Sequence, residues 1–302
     1  MKEVGIYGLG RMGSGMSERL LKTGFKVIVH NRSHAPIKKL KKKGAVAAYE
    51  LEEFVGKLSK GKRVIWLMLP AGKVTDKAIR DLLPLLTKGD IIVDGANDFY
   101  GNAEKHATMC KKKGVKFFDS GVSGGVWGLK NGYTLMVGGP KKDFKRIEPI
   151  CKALAPKDGY GYFGPAGSGH FVKSVHNIIE YTYLQGIAEG VELLDKFKHP
   201  VDLKKATKVW GPASVIKSWL IDLTNTALER PDFKHVGTEI GSVTIGELRK
   251  TKRAVRGYAP AFDVAVKIRQ SKRKRFSLGK RVIAAVRKEF GGHAVKKKGG
   301  KK

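Results

Sequence analysis

Val4-Gly5-Ile6-Tyr7-Gly8-Leu9-Gly10-Arg11-Met12-Gly13 stands at the head of the chain, and its reading decides the architecture. Val4–Gly8 is a short apolar run of the kind that forms a buried strand, and a glycine-rich turn follows at once. Ser17 to Leu21 then open a helical pattern that stops at Gly24, and Lys26-Val27-Ile28-Val29-His30 makes a second strand. Strand, glycines, helix and strand in that order form a βαβ unit. Gly8 allows the tight turn, Gly10 lets a pyrophosphate approach the backbone, and Gly13 lets the helix pack on the strand. The helix N-terminus offers free N–H groups to the phosphates. Gly8, Leu9, Gly10, Arg11, Met12 and Gly13 are therefore assigned to a dinucleotide cofactor.

The second strand ends in Asn31-Arg32-Ser33-His34. A site that prefers NAD places Asp or Glu there for the ribose 2′-hydroxyl, whereas Arg32 and Ser33 suit a 2′-phosphate. The expected cofactor is NADP, with NAD possible. Strand-like runs follow at Arg63–Leu69, Asp90–Val93, Val115–Phe118 and Tyr133–Val137, several of them separated by helical spacers. They end in small or polar loops: Pro70-Ala71-Gly72 after Leu69, Asp94-Gly95-Ala96-Asn97, and Ser120-Gly121-Val122-Ser123-Gly124-Gly125. Ligands of such sheets lie beyond the carboxyl ends of the strands, so Asn31, Leu69, Pro70 and Asn97 join the cofactor set. After Lys157-Asp158-Gly159 the pattern reads as helical to the end. The fold class is α/β, an N-terminal Rossmann-like doubly wound parallel sheet followed by an all-helical C-terminal domain. The expected domains are 1–160, which binds the dinucleotide, and 161–295, which serves substrate and dimerisation. A basic disordered tail follows at 296–302.

The 302 residues carry a net charge of +33, and 249–302 alone holds 20 Lys/Arg against Asp263 and Glu289. Such an excess attracts anions, from phosphorylated metabolites to nucleic acid, and identifies no function by itself. The first residues lead straight into a strand, so no signal peptide is expected, and no apolar run approaches membrane-spanning length. Cys110 and Cys151 make no disulfide framework. The expected compartment is the cytoplasm.

A second stretch carries chemistry. In Lys173-Ser174-Val175-His176-Asn177-Ile178-Ile179-Glu180-Tyr181 the polar side chains fall at +3, +4, +7 and +8 from Lys173. At 3.6 residues per turn these positions share one helix face, with apolar residues on the others. An amine, an imidazole, an amide, a carboxyl and a phenol on one stripe look like the wall of a polar pocket. A solvated face with Lys/Glu neighbours is the plainer reading of an isolated helix; the dinucleotide turn and the Ser-Gly-Gly loop weigh against it here.

With the turn, Asn97, Val122-Ser123-Gly124-Gly125 and Gly169-His170-Phe171-Val172-Lys173-Ser174-Val175-His176-Asn177 in place, the chain resembles the short form of the 6-phosphogluconate dehydrogenases, from Met1 through His293. That resemblance implies oxidative decarboxylation of 6-phosphogluconate to ribulose 5-phosphate and CO2 without a metal, a step of the pentose phosphate pathway and of gluconate utilisation. It implies Lys173 as the base and Glu180 as the acid. It assigns Asn97, Ser123, Gly124, Gly125, His176, Asn177, Tyr181 and Arg269 to the substrate. Arg287 and His293 match a tail that reaches the phosphate in the neighbouring subunit's site, which implies a homodimer or higher homo-oligomer. The chain departs from the pattern at Ala96, where the family has glycine, and at Ser242, where it carries a basic residue for the phosphate. A 3-hydroxyisobutyrate-type dehydrogenase is the nearest alternative, although that group lacks the His-Asn-x-x-Glu-Tyr face. A nucleic-acid-binding protein on a dehydrogenase fold is the alternative of another class; no stacking motif supports it, so nucleic acid binding is expected to be non-specific at most.

Overall fold

The computed structural model describes residues 2–61, 63–241, 244–271 and 276–296. The chain divides into two compact units between Val175 and His176. The first contains β1 (Glu3–Tyr7), α1 (Arg11–Lys22), β2 (Lys26–His30), α2 (His34–Lys41), β3 (Val46–Ala47), α3 (Leu51–Gly56) and β4 (Val64–Leu67). It continues with α4 (Lys73–Leu82), β5 (Ile91–Asp94), α5 (Tyr100–Lys112), β6 (Lys116–Ser123), α6 (Gly128–Asn131), β7 (Thr134–Gly138), α7 (Phe144–Leu154) and β8 (Tyr160–Gly164).

One eight-stranded sheet forms in the order β3-β2-β1-β4-β5-β6-β7-β8. From β3 to β6 all pairs are parallel, and the order reverses between β1 and β4, where the loops after these strands diverge and leave a ligand crevice. The apolar runs form buried strands because helices cover both faces. Met16, Leu20, Ile37, Leu40, Ile147 and Leu154 pack from α1, α2 and α7 on one side. Phe54, Ile79, Leu82, Ala103 and Cys110 pack from α3, α4 and α5 on the other.

Two features correct the expected parallel sheet. β7 runs antiparallel to β6, with Asp119 opposite Gly138 and Ser123 opposite Thr134. The connection between them holds only a short 3-10 turn and the four-residue α6, less than the dozen or so residues that a parallel crossover takes. Tyr160–Gly164 forms β8, parallel to β7, where the pattern reads as helical from Gly159 on. Phe163 of that edge strand is exposed, so the run carries no two-residue alternation of burial.

α8 spans Ser168–Asp195, and the division between the units falls inside it. The second unit adds α9 (Leu203–Ala213), α10 (Trp219–Glu229), α11 (Ile245–Ala254), α12 (Pro260–Gln270) and α13 (Ser277–Gly291). Its main core joins Leu184, Ala188 and Val191 to Leu223, Ala227 and the apolar stretch Val282–Val286. Among the described residues no strand occurs in this unit, and no helix is long and apolar enough to cross a membrane. Ser242 and residues 297–302 lie outside the described residues. Lys296 is described: its carbonyl accepts from the Gly237 N–H at 2.7 Å, and its ammonium pairs with Glu239.

Candidate active site

The turn after β1 is built as the glycine spacing requires. Gly8 adopts φ +102°, and a Cβ there would stand 2.5 Å from the Met68 carbonyl oxygen; a Cβ on Gly13 would stand 2.0 Å from that of Gly8. Gly10 differs. It caps α1, and among the described residues nothing lies within 4 Å of where its Cβ would be. Nor does the first turn of α1 carry an acidic residue. Open space at the N-terminal end of α1, with no carboxylate in its first turn to repel an anion, fits a dinucleotide pyrophosphate. Asn31 ties the two loops together: its Oδ1 accepts from the Leu9 N–H at 2.9 Å, and its Nδ2 donates to Ser33 Oγ at 2.9 Å and to the Ser33 carbonyl at 3.0 Å. Arg32 and Ser33 are exposed at the end of β2. Leu69 is half-buried and Pro70 exposed; the Pro70 carbonyl accepts from Thr75 Oγ1 at 2.9 Å, which fixes that loop to α4.

The loop after β5 presents Asn97 to solvent while Asp94 and Asp98 on either side of it are buried. Asp94 Oδ1 accepts from the Ala96 N–H at 2.9 Å, and burial raises the Asp94 pKa above the ordinary carboxylate range. At the end of β6, Ser123 leads into Gly124 and Gly125, both at positive φ. Asp119, buried in β6, fixes the start of α8: it accepts from the backbone N–H groups of Gly167 and His170, each at 2.7 Å. Lys173 follows one turn later and is buried. It lies so close to β6 that a Cβ on Gly121 would stand 2.2 Å from its own Cβ. Asp119 and Gly121 thus set the position of Lys173. Sequence reading places Gly121 in the loop after the strand, whereas it lies within β6, and passes over Asp119, because a capping carboxylate 51 residues upstream of His170 leaves no local spacing signal.

In the second unit His176 Nδ1 and Asn177 Oδ1 stand 3.0 Å apart, and Asn177 is buried while His176 and Glu180 are half-buried. Tyr181 is 3 % exposed and faces Thr244 Oγ1 at 3.4 Å. Arg269 lies over its ring, with Cζ 3.7 Å from the centroid. This guanidinium is 4 % exposed, and its Nε and Nη1 have no hydrogen-bond partner among the described residues. Burial, and then the nearby charge of Arg287, bring its pKa down to about 10, against the opposing influence of Tyr181 and Glu180. Buried guanidinium donors without partners beside a second arginine fit a doubly charged anion. Arg287 is buried too and donates to the Gly241 carbonyl. Its positive charge is among the causes that lower the Arg269 pKa. His293 is half-buried and meets Phe290 edge to face at 6.2 Å.

Both units match known families. The NAD-binding domain of 6-phosphogluconate dehydrogenase matches residues 3–164, and the C-terminal domain of 6-phosphogluconate dehydrogenase matches residues 169–244. A Bacillus subtilis protein provisionally named as a 6-phosphogluconate dehydrogenase, YqeC, is 34% identical over 98% of this chain and 100% of its own length. An NAD(+)-dependent, decarboxylating 6-phosphogluconate dehydrogenase of Haloferax volcanii is 37% identical over 80% of this chain and 78% of its own. The solved 6-phosphogluconate dehydrogenase of Plasmodium falciparum, studied with NADP+ and with its substrate, is similar with a TM-score of 0.80 at 30% identity. The match covers 88% of this chain but only 61% of that longer one. This chain belongs to the 6-phosphogluconate dehydrogenase family of NAD(P)-dependent oxidoreductases.

Proposed function

We propose that the protein oxidises and decarboxylates 6-phosphogluconate to ribulose 5-phosphate and CO2, with NADP as the preferred hydride acceptor. The observation that carries this reading is the buried Arg269, stacked on Tyr181 with two donors unpartnered among the described residues and Arg287 nearby. A small hydroxy acid without a phosphate would leave that charge buried and unmatched, at a cost of several kcal/mol by order of magnitude. For this reason the 3-hydroxyisobutyrate-type reading is the weaker one.

A dinucleotide held by Gly8–Gly13, Asn31, Arg32 and Ser33 would supply the acceptor for the hydride leaving C3. Lys173 takes the proton from the C3 hydroxyl; its burial against β6 limits the hydration that would hold an ammonium in its charged form. The amine, now an ammonium, returns the proton to the ketone oxygen and polarises it, and the β-keto acid loses its carboxylate as CO2. Glu180, seven residues along the same helix, assists protonation of the enediol carbon. Asn97, Ser123, Gly124, Gly125, His176 and Asn177 hold the sugar acid, and Tyr181, Arg269, Arg287 and His293 hold its phosphate. Arg32 and Ser33 favour NADP, while the NAD-dependent Haloferax relative makes cofactor choice a point to measure.

We also propose a homodimer formed on α8. An apolar cavity of about 580 Å³ lies along this helix, lined by Ile179, Thr182, Tyr183, Gly186, Gly190 and Ile216 among others. Ile179 is 60% exposed, while nothing among the described residues lies within 4 Å of a Cβ at Gly186 or Gly190. A knob two turns from a notch on one helix face is self-complementary about a two-fold axis.

The test is 6-phosphogluconate-dependent NADP reduction, followed by nicotinamide absorbance and CO2 release. Turnover of 3-hydroxyisobutyrate with none of 6-phosphogluconate would overturn the assignment.

A further inference from the structure

Asp76, His106 and Asp94 form a line through the first unit, from α4 across α5 to the end of β5. His106 Nε2 lies 2.7 Å from Asp76 Oδ1, and its Nδ1 lies 3.8 Å from Asp94 Oδ2. The Asp76 side chain is 37% exposed, that of His106 6% and that of Asp94 0%. Asp94 Oδ2 and His106 Nδ1 are buried and have no hydrogen-bond partner among the described residues. At 3.8 Å the two atoms are too far apart for a hydrogen bond but close enough to interact electrostatically in this dry interior, so the ring, held at Nε2 by Asp76, faces the Asp94 carboxyl directly.

The inner end of the line is the turn that carries Asn97. Asp94 Oδ1 accepts from the Ala96 N–H at 2.9 Å, and the Asp94 carbonyl lies 3.2 Å from His170 Nε2. On the far side Asp98 Oδ1 accepts from the Phe99 N–H at 2.7 Å and from Asn102 Nδ2 at 3.0 Å. Asn97 is therefore the exposed residue of a turn pinned at both feet, and one foot depends on the orientation of the Asp94 carboxyl. We propose that His106 is a positioning residue whose ring, anchored by Asp76, steadies the Asp94 carboxyl and thereby holds the Gly95–Asn97 turn in the shape that presents Asn97 to its ligands. The proposal rests on the reading of Asn97 as a contact of cofactor and substrate.

Three variants test it. His106→Phe keeps a ring of similar size and removes both nitrogens. His106→Asn keeps an amide near the Nδ1 position, and His106→Gln keeps one near Nε2. The readouts are amide hydrogen exchange across residues 95–99 and the dissociation constant of NADPH by fluorescence. In His106→Phe, exchange of that segment and the NADPH Kd should each rise about tenfold, as expected for a lost polar contact in a buried site. The β5 amides should stay protected. His106→Asn should bring both values back to within about threefold of wild type, and His106→Gln should not. Wild-type exchange and Kd in a folded His106→Phe protein would overturn the proposal, as would equal rescue by Asn and Gln. Should His106→Phe fail to fold, the Asn and Gln pair decides alone. Neither readout uses 6-phosphogluconate, so failure of the proposed function would leave these outcomes readable.

Discussion

Replacing Gly121 by Ala should displace Lys173 while the protein still folds. The new Cβ would stand 2.2 Å from Lys173 Cβ, 2.9 Å from its Cγ and 3.0 Å from the Gly169 carbonyl oxygen. Ordinary contact begins at 3.4 Å, so β6 and the first turns of α8 must part by about 1.2 Å to relieve the closest clash. Neither side yields easily, because the clash is with Lys173 Cβ and not the mobile end of the side chain. Overpacking of this kind costs about 1–3 kcal/mol, which lowers Tm by roughly 3–10 °C in a chain of this size. A displacement of about 1 Å at a reacting group costs on the order of a hundredfold in rate. Thermal unfolding and steady-state kinetics should thus show a folded Gly121→Ala protein with kcat down about a hundredfold and NADPH binding nearly intact. Gly56→Ala is the control: nothing among the described residues lies within 4 Å of that Cβ, and stability should hold or rise slightly. A folded Gly121→Ala enzyme with kcat within about threefold of wild type would refute the claim that β6 sets the position of Lys173.

Lys173→Met should lower turnover by about two to four powers of ten, with the cofactor Kd unchanged by titration of NADPH fluorescence. Gly8→Ala and Gly13→Ala should cripple folding because each new Cβ meets backbone, whereas Gly10→Ala should fold normally and lose cofactor affinity; denaturation and NADPH titration separate the two effects. Arg32→Glu should weaken NADP far more than NAD in kcat/KM, and equal kcat/KM for the two in the wild type would remove the basis for NADP preference. Asp94→Asn should gain stability over the wild type as pH rises. The folded-state pKa of Asp94 is raised above its ordinary value of 3.8, so the native state binds its proton more tightly, and stability from this group is lost as pH climbs above that value. Asn cannot ionise, so the Tm difference should widen from pH 4 toward neutrality.

The βαβ unit at the N-terminus is legible because everything that makes it is local: an apolar run, three glycines and a second run within one short segment. The polar stripe from Lys173 to Tyr181 is legible for the same reason, since 3.6-residue periodicity needs no knowledge of the rest of the chain. Direction is a different matter. Nothing in Thr134–Gly138 distinguishes a parallel from an antiparallel neighbour, and the reversal of β7 follows only from the shortness of the link after Ser123. β3, at two residues, has no period to detect, and Tyr160–Gly164 mixes two glycines with three aromatic residues along a half-exposed edge, with no two-residue alternation. The supports of the site are hidden by sequence distance. Asp119 caps a helix 48 residues beyond it, and Arg269 covers the ring of a tyrosine 88 residues before it.

α8 is unbroken from Ser168 to Asp195, and the proposed base and acid stand seven residues apart on it. At a rise of about 1.5 Å per residue they are separated by roughly 10 Å along one axis. The helix therefore serves as a ruler whose graduations are set by backbone hydrogen bonds and by nothing else. Side chains around it can be exchanged to suit a different hydroxy acid without altering that interval. An insertion or deletion of a single residue between Lys173 and Glu180 would turn one of them about 100° off the shared face. With Lys173 and Glu180 in their proposed roles, substitutions around this segment should retune what the site accepts, whereas a change in its length should end the chemistry.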